Sequence, residues 1–254
     1  MAAQFKTQRF ALARALENAI LEGRIKPGTR LPELLLSKEL GVSQASVREA
    51  LQQLENSGLV VKYPHRGSFV ISLAAQDLVD IYQLRQELEP MACGLAAERM
   101  SAERLASLQA CIGEMQSAAA KRNYLSYSNA DLKFHRLIWE AQPNRYLEKM
   151  LKVICLPLFA NDLIRRYPSA YLNFERSARQ HTLILSALRT RDAAFVQKLM
   201  RRLIRRFLRQ DLADFSHLQE VPEDHGERLD DVLTSIGISK GAGQVSQPFR
   251  QETE

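Results

Sequence analysis

Asp131 and His135 stand four residues apart, a spacing that projects a carboxylate and an imidazole from one helix face, where the pair could hold a single divalent metal ion. His181 is a further side chain of ligating type in a later helical stretch. Far upstream, Ser43, Gln44, Ser46, Arg48 and Gln52 gather polar and basic side chains on one short helix, and the basic turn Pro64-His65-Arg66-Gly67 follows. That is chemistry for nucleic acid, with hydroxyls and amides for phosphates and base edges and arginine for guanine or phosphate. The run Met200-Arg201-Arg202-Leu203-Ile204-Arg205-Arg206-Phe207-Leu208-Arg209 places five arginines within nine residues. These form either a solvated face beside an apolar seam or, through Arg202 or Arg206, a source of positive charge that selects an anionic ligand. No nucleophile elbow, phosphate loop or His-Glu-x-x-His motif accompanies these groups, and no evident general base stands beside Asp131, His135 and His181.

Elements must carry these side chains. From Phe10 to Leu21, the residues Leu12, Leu16, Ala19 and Ile20 recur at helical spacing, ending at Gly23 ahead of the turn pair Pro27-Gly28. A second helix is predicted over Glu33–Leu40, stopped by Gly41. Ser43 caps a third, in which Val47, Ala50, Leu51 and Leu54 line one face before Gly58. Two helices joined by Gly41-Val42-Ser43 match a helix-turn-helix, whose second helix enters the DNA major groove by its N-terminal end. Leu59–Tyr63 and Ser68–Ile71 predict two strands around the basic turn, a β-hairpin wing. Residues 76–215 carry no convincing alternating strand. Six helical stretches are expected there, over Asp77–Arg99, Ala102–Arg122, Tyr124–Glu140, Tyr146–Arg166, Leu172–Arg189 and Asp192–Asp214. The expected fold is mainly α, with an N-terminal winged helix-turn-helix over 1–75 followed by an all-helical antiparallel bundle over 76–215. Residues 216–254, acidic and then rich in Gly, Ser and Gln, read as a disordered tail with one short helix near Leu229–Ile236.

Composition narrows the function classes. The 254 residues are 46% hydrophobic with 11 Gly and 9 Pro, which excludes collagen-like and wholly disordered chains. The net charge of +6 is uneven. Residues 1–75 hold ten basic against six acidic residues (+4), residues 76–215 hold 22 against 15 (+7), and residues 216–254 hold 3 against 8 (−5). A basic body favours an anionic partner, and the acidic tail is able to mask its DNA-facing surface weakly. The longest apolar stretches, such as Val153–Cys155 and Leu158–Ala160 around Pro157, fall far short of a membrane span, and the N-terminus is polar where a secretory signal would be apolar. No membrane partner and a cytoplasmic compartment are expected. Cys93, Cys111 and Cys155 are odd in number and widely spaced, so buried reduced thiols are expected rather than disulfides or a cysteine zinc motif. Aromatics at 7%, with the single Trp139, offer no platform for stacking single-stranded bases.

The runs Gly28-Thr29-Arg30-Leu31-Pro32-Glu33, Leu40-Gly41-Val42-Ser43, Val47-Arg48-Glu49-Ala50-Leu51, Leu54-Glu55, Gly58-Leu59-Val60 and Arg66-Gly67 closely resemble the winged-helix domain of the GntR family of bacterial transcriptional regulators. Asp80-Ile81-Tyr82-Gln83-Leu84-Arg85-Gln86-Glu87-Leu88-Glu89-Pro90 with Ala96-Ala97, and Asp131-Leu132-Lys133-Phe134-His135, resemble the FCD effector-binding domain of the FadR subfamily. The resemblance implies a homodimeric repressor-type regulator that binds double-stranded DNA at an inverted repeat and responds to a small-molecule effector, commonly a carboxylic acid. It implies that Arg48 reaches a base or phosphate, and that Gly67, beside His65 and Arg66, lets backbone approach the minor groove. The chain departs from the family at Gln44-Ala45-Ser46, where Arg, Thr and Pro are usual, and at Leu34, where arginine is frequent. Gln44 suits adenine, so the operator is expected to differ from the usual one at that base, with weaker phosphate attraction.

In many members of the subfamily an Asp-x3-His pair and two further histidines hold a divalent metal such as zinc. Asp131, His135 and His181 match three of those positions, and the fourth is Leu203. Three readings stay open: an open metal site completed by water or an effector carboxylate, a metal-free pocket in which the three residues contact the effector directly, and ordinary hydrogen-bonded bundle residues. Arg85 matches an arginine that often faces the cavity, and it can equally pair with Glu89 one turn on. Arg202 and Arg206 neighbour the Leu203 position. The rival functions are a metal-dependent hydrolase using Asp131, His135 and His181, and a helical scaffold whose winged helix serves protein contacts.

Overall fold

A computed structural model describes residues 2–166 and 174–216, and the tail predicted beyond them, with its helix near Leu229–Ile236, lies outside the described residues. Helix α1 (Ala2–Leu21) reaches back past the expected start at Phe10. Strand β1 (Arg30–Leu31), α2 (Glu33–Leu40), α3 (Gln44–Asn56), β2 (Val60–Tyr63) and β3 (Gly67–Val70) follow. Val47, Ala50, Leu51 and Leu54 are all buried, which is the face that the helical spacing of α3 sets aside. Ser43 sits in extended backbone before α3, and its side chain accepts from the Ser46 N–H, one of the donors that a helix start leaves without an intrahelical partner.

The wing is more than a hairpin. Its strands form a three-stranded antiparallel sheet in the order β1-β3-β2, with Val60 opposite Val70, Tyr63 opposite Gly67, and Arg30 opposite Phe69. A two-residue strand carries no alternation to read, which is why β1 escapes a pattern-based reading.

The bundle comprises α4 (Ala75–Ala97), α5 (Ala102–Ala120), α6 (Tyr124–Trp139), α7 (Arg145–Arg166), α8 (Phe174–Arg189) and α9 (Ala193–Ser216). Ser101 and Asn123 cap α5 and α6, and Asn144 accepts from the first N–H groups of α7. Helix α4 packs most extensively on α9, and α5 on α6 and α8. Leu78, Phe134, Ile138, Ile184, Leu188, Leu203 and Ile204 belong to the core these helices enclose.

A second core runs across the two units. It joins Leu16, Ile20, Val47, Leu51 and Leu54 of the winged helix to Ala92, Leu132, Trp139, Leu151 and Leu156 of α4, α6 and α7. Cys93, Cys111 and Cys155 are free and buried, as their spacing suggests. None of the described helices is long and apolar enough to cross a membrane.

Candidate DNA-reading face and Asp-His-His centre

The polar residues of α3 divide between local structure and open surface. Ser43 and Ser46 hold each other, with their hydroxyls 2.9 Å apart at the helix start. Gln44 is exposed beside them. Arg48 leaves 60% of its side chain to solvent while its Nε donates to Glu33 Oε2 at 3.0 Å. Glu33 also lies 3.9 Å from Lys62 of β2, so one carboxylate orients basic groups from the recognition helix and from the wing. Gln52 donates to Glu55 at 2.9 Å and so lies tied along the helix surface.

At the wing tip His65 has φ 61 and Gly67 φ 96, left-handed backbone that suits glycine and strains histidine. The Arg66 guanidinium lies 5.7 Å from the centre of the Tyr63 ring and 5.9 Å from that of Phe69, which steadies an exposed cation over aromatic faces. A side chain at residue 67 would sit 3.8 Å from Arg30 Nε. Arg30, exposed on β1, thus joins Arg66 at the wing. Sequence reasoning placed Arg30 inside the family-like run but not in the site, because only the pairing of β1 with β3 brings it there.

The second site is buried. Asp131 and His135 on α6 meet His181 on α8, and their ligating atoms all lie within 4.8 Å of one another. Asp131 Oδ1 is 3.3 Å from His135 Nε2 and 2.9 Å from His181 Nε2. His135 and His181 are 8% and 2% exposed, and Phe134, Trp139 and Phe159 pack around the rings. The Nδ1 of His181 lies 2.8 Å from the Ser177 carbonyl, which can only accept, so Nδ1 carries a proton and neutral His181 presents its lone pair at Nε2.

That lone pair meets a carboxylate oxygen. Asp131 Oδ1 and His181 Nε2 are both sealed from solvent, and neither is satisfied by a hydrogen bond. Two acceptors in that relation need a cation between them or a proton on His181. Burial opposes charge on both groups, yet the attraction between them holds the Asp131 carboxyl far below its usual range and the His181 imidazole above its own.

Arg85 is buried one turn from Glu89 and pairs with it, its guanidinium 4.5 Å from the centre of the Tyr82 ring. Cys155 Sγ lies 3.6 Å from the same carboxylate. Burial works against the Glu89 charge, while Arg85 and then His135 hold its carboxyl low, so Glu89 lies within electrostatic reach of His135. Leu203 sits in the apolar core, but Arg202 and Arg206 are exposed. The structure therefore does not bring these two arginines to the centre: α9 turns Leu203 and Ile204 inward and leaves its arginine stripe outside, as its amphipathic pattern dictates.

An exposed recognition helix and basic wing joined to a helical bundle with a buried polar centre define a DNA-binding transcriptional regulator with a sensory domain. Residues 9–70 match the model of the bacterial regulatory proteins of the gntR family, and residues 80–206 match the FCD domain. The chain belongs to the GntR family, with an FCD C-terminal domain of the FadR-like subfamily. It is 31% identical over 170 residues to the HTH-type transcriptional regulator YdhC of Bacillus subtilis (strain 168), covering 66% of this chain and 72% of that one. It is 28% identical over 189 residues to the gluconate operon transcriptional repressor of the same organism, covering 73% of this chain and 77% of that one. The solved structure of E. coli McbR/YncC superposes with a TM-score of 0.68 at 25% identity, over 80% of this chain and 97% of the other. These relatives are transcriptional regulators, which sets aside the hydrolase and the scaffold as its function.

Proposed function

We propose that this regulator works as a cytoplasmic homodimer on an inverted-repeat operator, and that its FCD domain holds a divalent metal, zinc by its donor set, to which a carboxylic-acid effector adds. Ser43, Gln44, Ser46, Arg48 and Gln52 would face the major groove, and Arg30, His65, Arg66 and Gly67 the adjacent backbone or minor groove. Two such heads on a twofold axis read two half-sites.

The observation that carries the metal reading is the pairing of Asp131 Oδ1 with His181 Nε2 at 2.9 Å with no hydrogen bond between them. Two imidazoles and one carboxylate suit zinc, and the Ser177 carbonyl fixes the His181 tautomer that such a site needs. Leu203 supplies no fourth ligand, so a bound metal would keep an open position and act as a Lewis acid toward an anionic oxygen. Asp131, His135 and His181 would hold the ion, and the packed rings of Phe134, Trp139 and Phe159 would exclude water from it. A carboxylic acid fits such a position, and a relative that represses a gluconate operon is consistent with that class.

The test is selection of random duplexes with the full-length protein, followed by titration of the selected DNA with a panel of hydroxy and simple carboxylic acids, with zinc or with chelator. An enriched inverted repeat whose affinity responds to one acid only when zinc is present is the expected result. Sequence-independent binding would overturn the operator reading. A response that is identical under chelation would overturn the metal reading.

A further inference from the structure

Three contacts tie the DNA-reading head to the helices that hold the buried centre. Arg136 follows His135 on α6 and crosses to α1, where its Nη2 lies 2.5 Å from Glu17 Oε1. Its Nε is sealed from solvent, although a third of the side chain stays exposed. Trp139, one turn beyond His135, is 1% exposed and packs in the core shared with α1 and α3, with its ring 6.0 Å from the His135 ring.

The second contact is on α7. Pro157 has no N–H, so it leaves the Val153 carbonyl without its helical donor. That carbonyl oxygen points at Gly58, at the end of the recognition helix: a Cβ there would lie 2.5 Å from it. Gly58 has φ 78 as well, so both backbone conformation and space demand glycine. Two residues past Pro157, Phe159 stacks edge-on against His135 at 5.8 Å.

The third contact holds the connection itself. Asn161 of α7 accepts from the Leu73 N–H in the segment between β3 and α4. On α6, His135 thus neighbours Trp139 and Arg136, which reach the head, and on α7 Phe159 touches His135 while Val153 and Asn161 meet the end of α3 and the linker.

We propose that Arg136 and Glu17 form a lock that fixes the orientation of the head on the bundle, and that this lock is the route by which occupancy of the Asp131-His135-His181 centre reaches the recognition helix. The lock stands on the interdomain contacts alone; the second part rests on the metal reading above. An effector that moves α6 by a fraction of a turn acts on Arg136 directly, since His135 and Arg136 are consecutive residues. The coupling requires the locked and released states of the chain to differ in affinity for the ligand of the centre.

The experiment is a spin-label distance measurement on the full chain between Lys38→Cys in α2 and Gln116→Cys in α5, both exposed positions, with the three native thiols buried. A single narrow distance is expected, broadened by Arg136→Glu and narrowed again by the charge swap Glu17→Arg with Arg136→Glu. If Arg136→Glu does not fold, Glu17→Gln takes its place. An unchanged distribution in the single variant, or no recovery in the swap, overturns the lock. Zinc added to chelator-treated protein is expected to shift the wild-type distribution and to leave Glu17→Gln unshifted although it binds the same amount of zinc. The same shift in both overturns the coupling. If elemental analysis finds no zinc in the wild type, the metal reading falls, and the charge swap alone decides the lock.

Discussion

The two functional regions of this chain are built in opposite ways. The DNA-reading face comes from one stretch of sequence: one helix and the turn of the following hairpin supply almost every candidate, and those residues are exposed apart from the half-buried Ser46 and Gly67. The Asp-His-His centre is buried and drawn from two helices that are distant in sequence and meet only through bundle packing. An exposed polar group is solvated before and after its partner arrives, so it tolerates imperfect pairing. A buried one must be satisfied by an ion, a proton or a neighbour. Substitutions in the second region should therefore have larger and more specific effects than those in the first.

The largest effect is expected from Asp131→Ala. It removes the carboxylate oxygen that both histidines face and, on the proposed metal reading, should weaken zinc binding by on the order of 100-fold or more, beyond the roughly 10–100-fold that losing an outer partner of a metal ligand costs. Calorimetric titration of zinc into chelator-treated protein measures this. An unchanged affinity would show that the ion binds elsewhere.

Gly58→Ala should come next. It forces a side chain into left-handed backbone against the Val153 carbonyl, so a destabilisation of more than about 1 kcal/mol is expected in thermal or urea unfolding. A neutral result would mean that the head does not sit on α7.

The pH dependence separates the regions further. His181 is raised by Asp131, so in metal-free protein its charge contributes stability that is full below about 6.5 and lost as pH rises through the higher folded value. Asp131 is lowered, so its contribution is lost only as pH falls below the usual carboxylate range. The Tm of chelator-treated protein should therefore drop above neutral pH, and saturating zinc should remove that drop. Parallel curves with and without zinc would contradict it.

Arg48→Ala is expected to cost about 1–3 kcal/mol of DNA binding if the arginine reads a base pair, with zinc affinity unchanged. A uniform loss on all duplexes, with a shallower salt slope, would assign Arg48 to phosphate instead. Arg202→Ala and Arg206→Ala should change stability by less than about 0.5 kcal/mol and leave zinc and acid binding alone, because both side chains lie on the solvent face. A loss of acid binding in either would return them to the effector site.

The same contrast explains what the sequence made legible. Helical periodicity located α2 and α3 to within a residue, because Gly41, Ser43 and Gly58 mark their ends chemically. The spacing of Asp131 and His135 showed that they share a face, and the family resemblance supplied His181. No local pattern could show that the His181 Nδ1 meets the Ser177 carbonyl, or that Nε2 faces Asp131. Strand β1 was missed because two residues have no period, and Arg30 was missed with it. Arg202 and Arg206 drew attention through their closeness in sequence to residue 203, yet the helix turns them outward. Gly58 read as a helix stop, while its contact with Val153 depends on a proline about a hundred residues later that no local pattern relates to it.

The most direct test of the central claim, that Asp131, His135 and His181 hold a divalent metal, is elemental analysis of protein purified without chelator, comparing wild type with His181→Ala. About one zinc or similar ion per wild-type chain, lost in the variant while the fold persists, is the result this account predicts. Metal absent from the wild type even after zinc is supplied, or retained in full by His181→Ala, would contradict it.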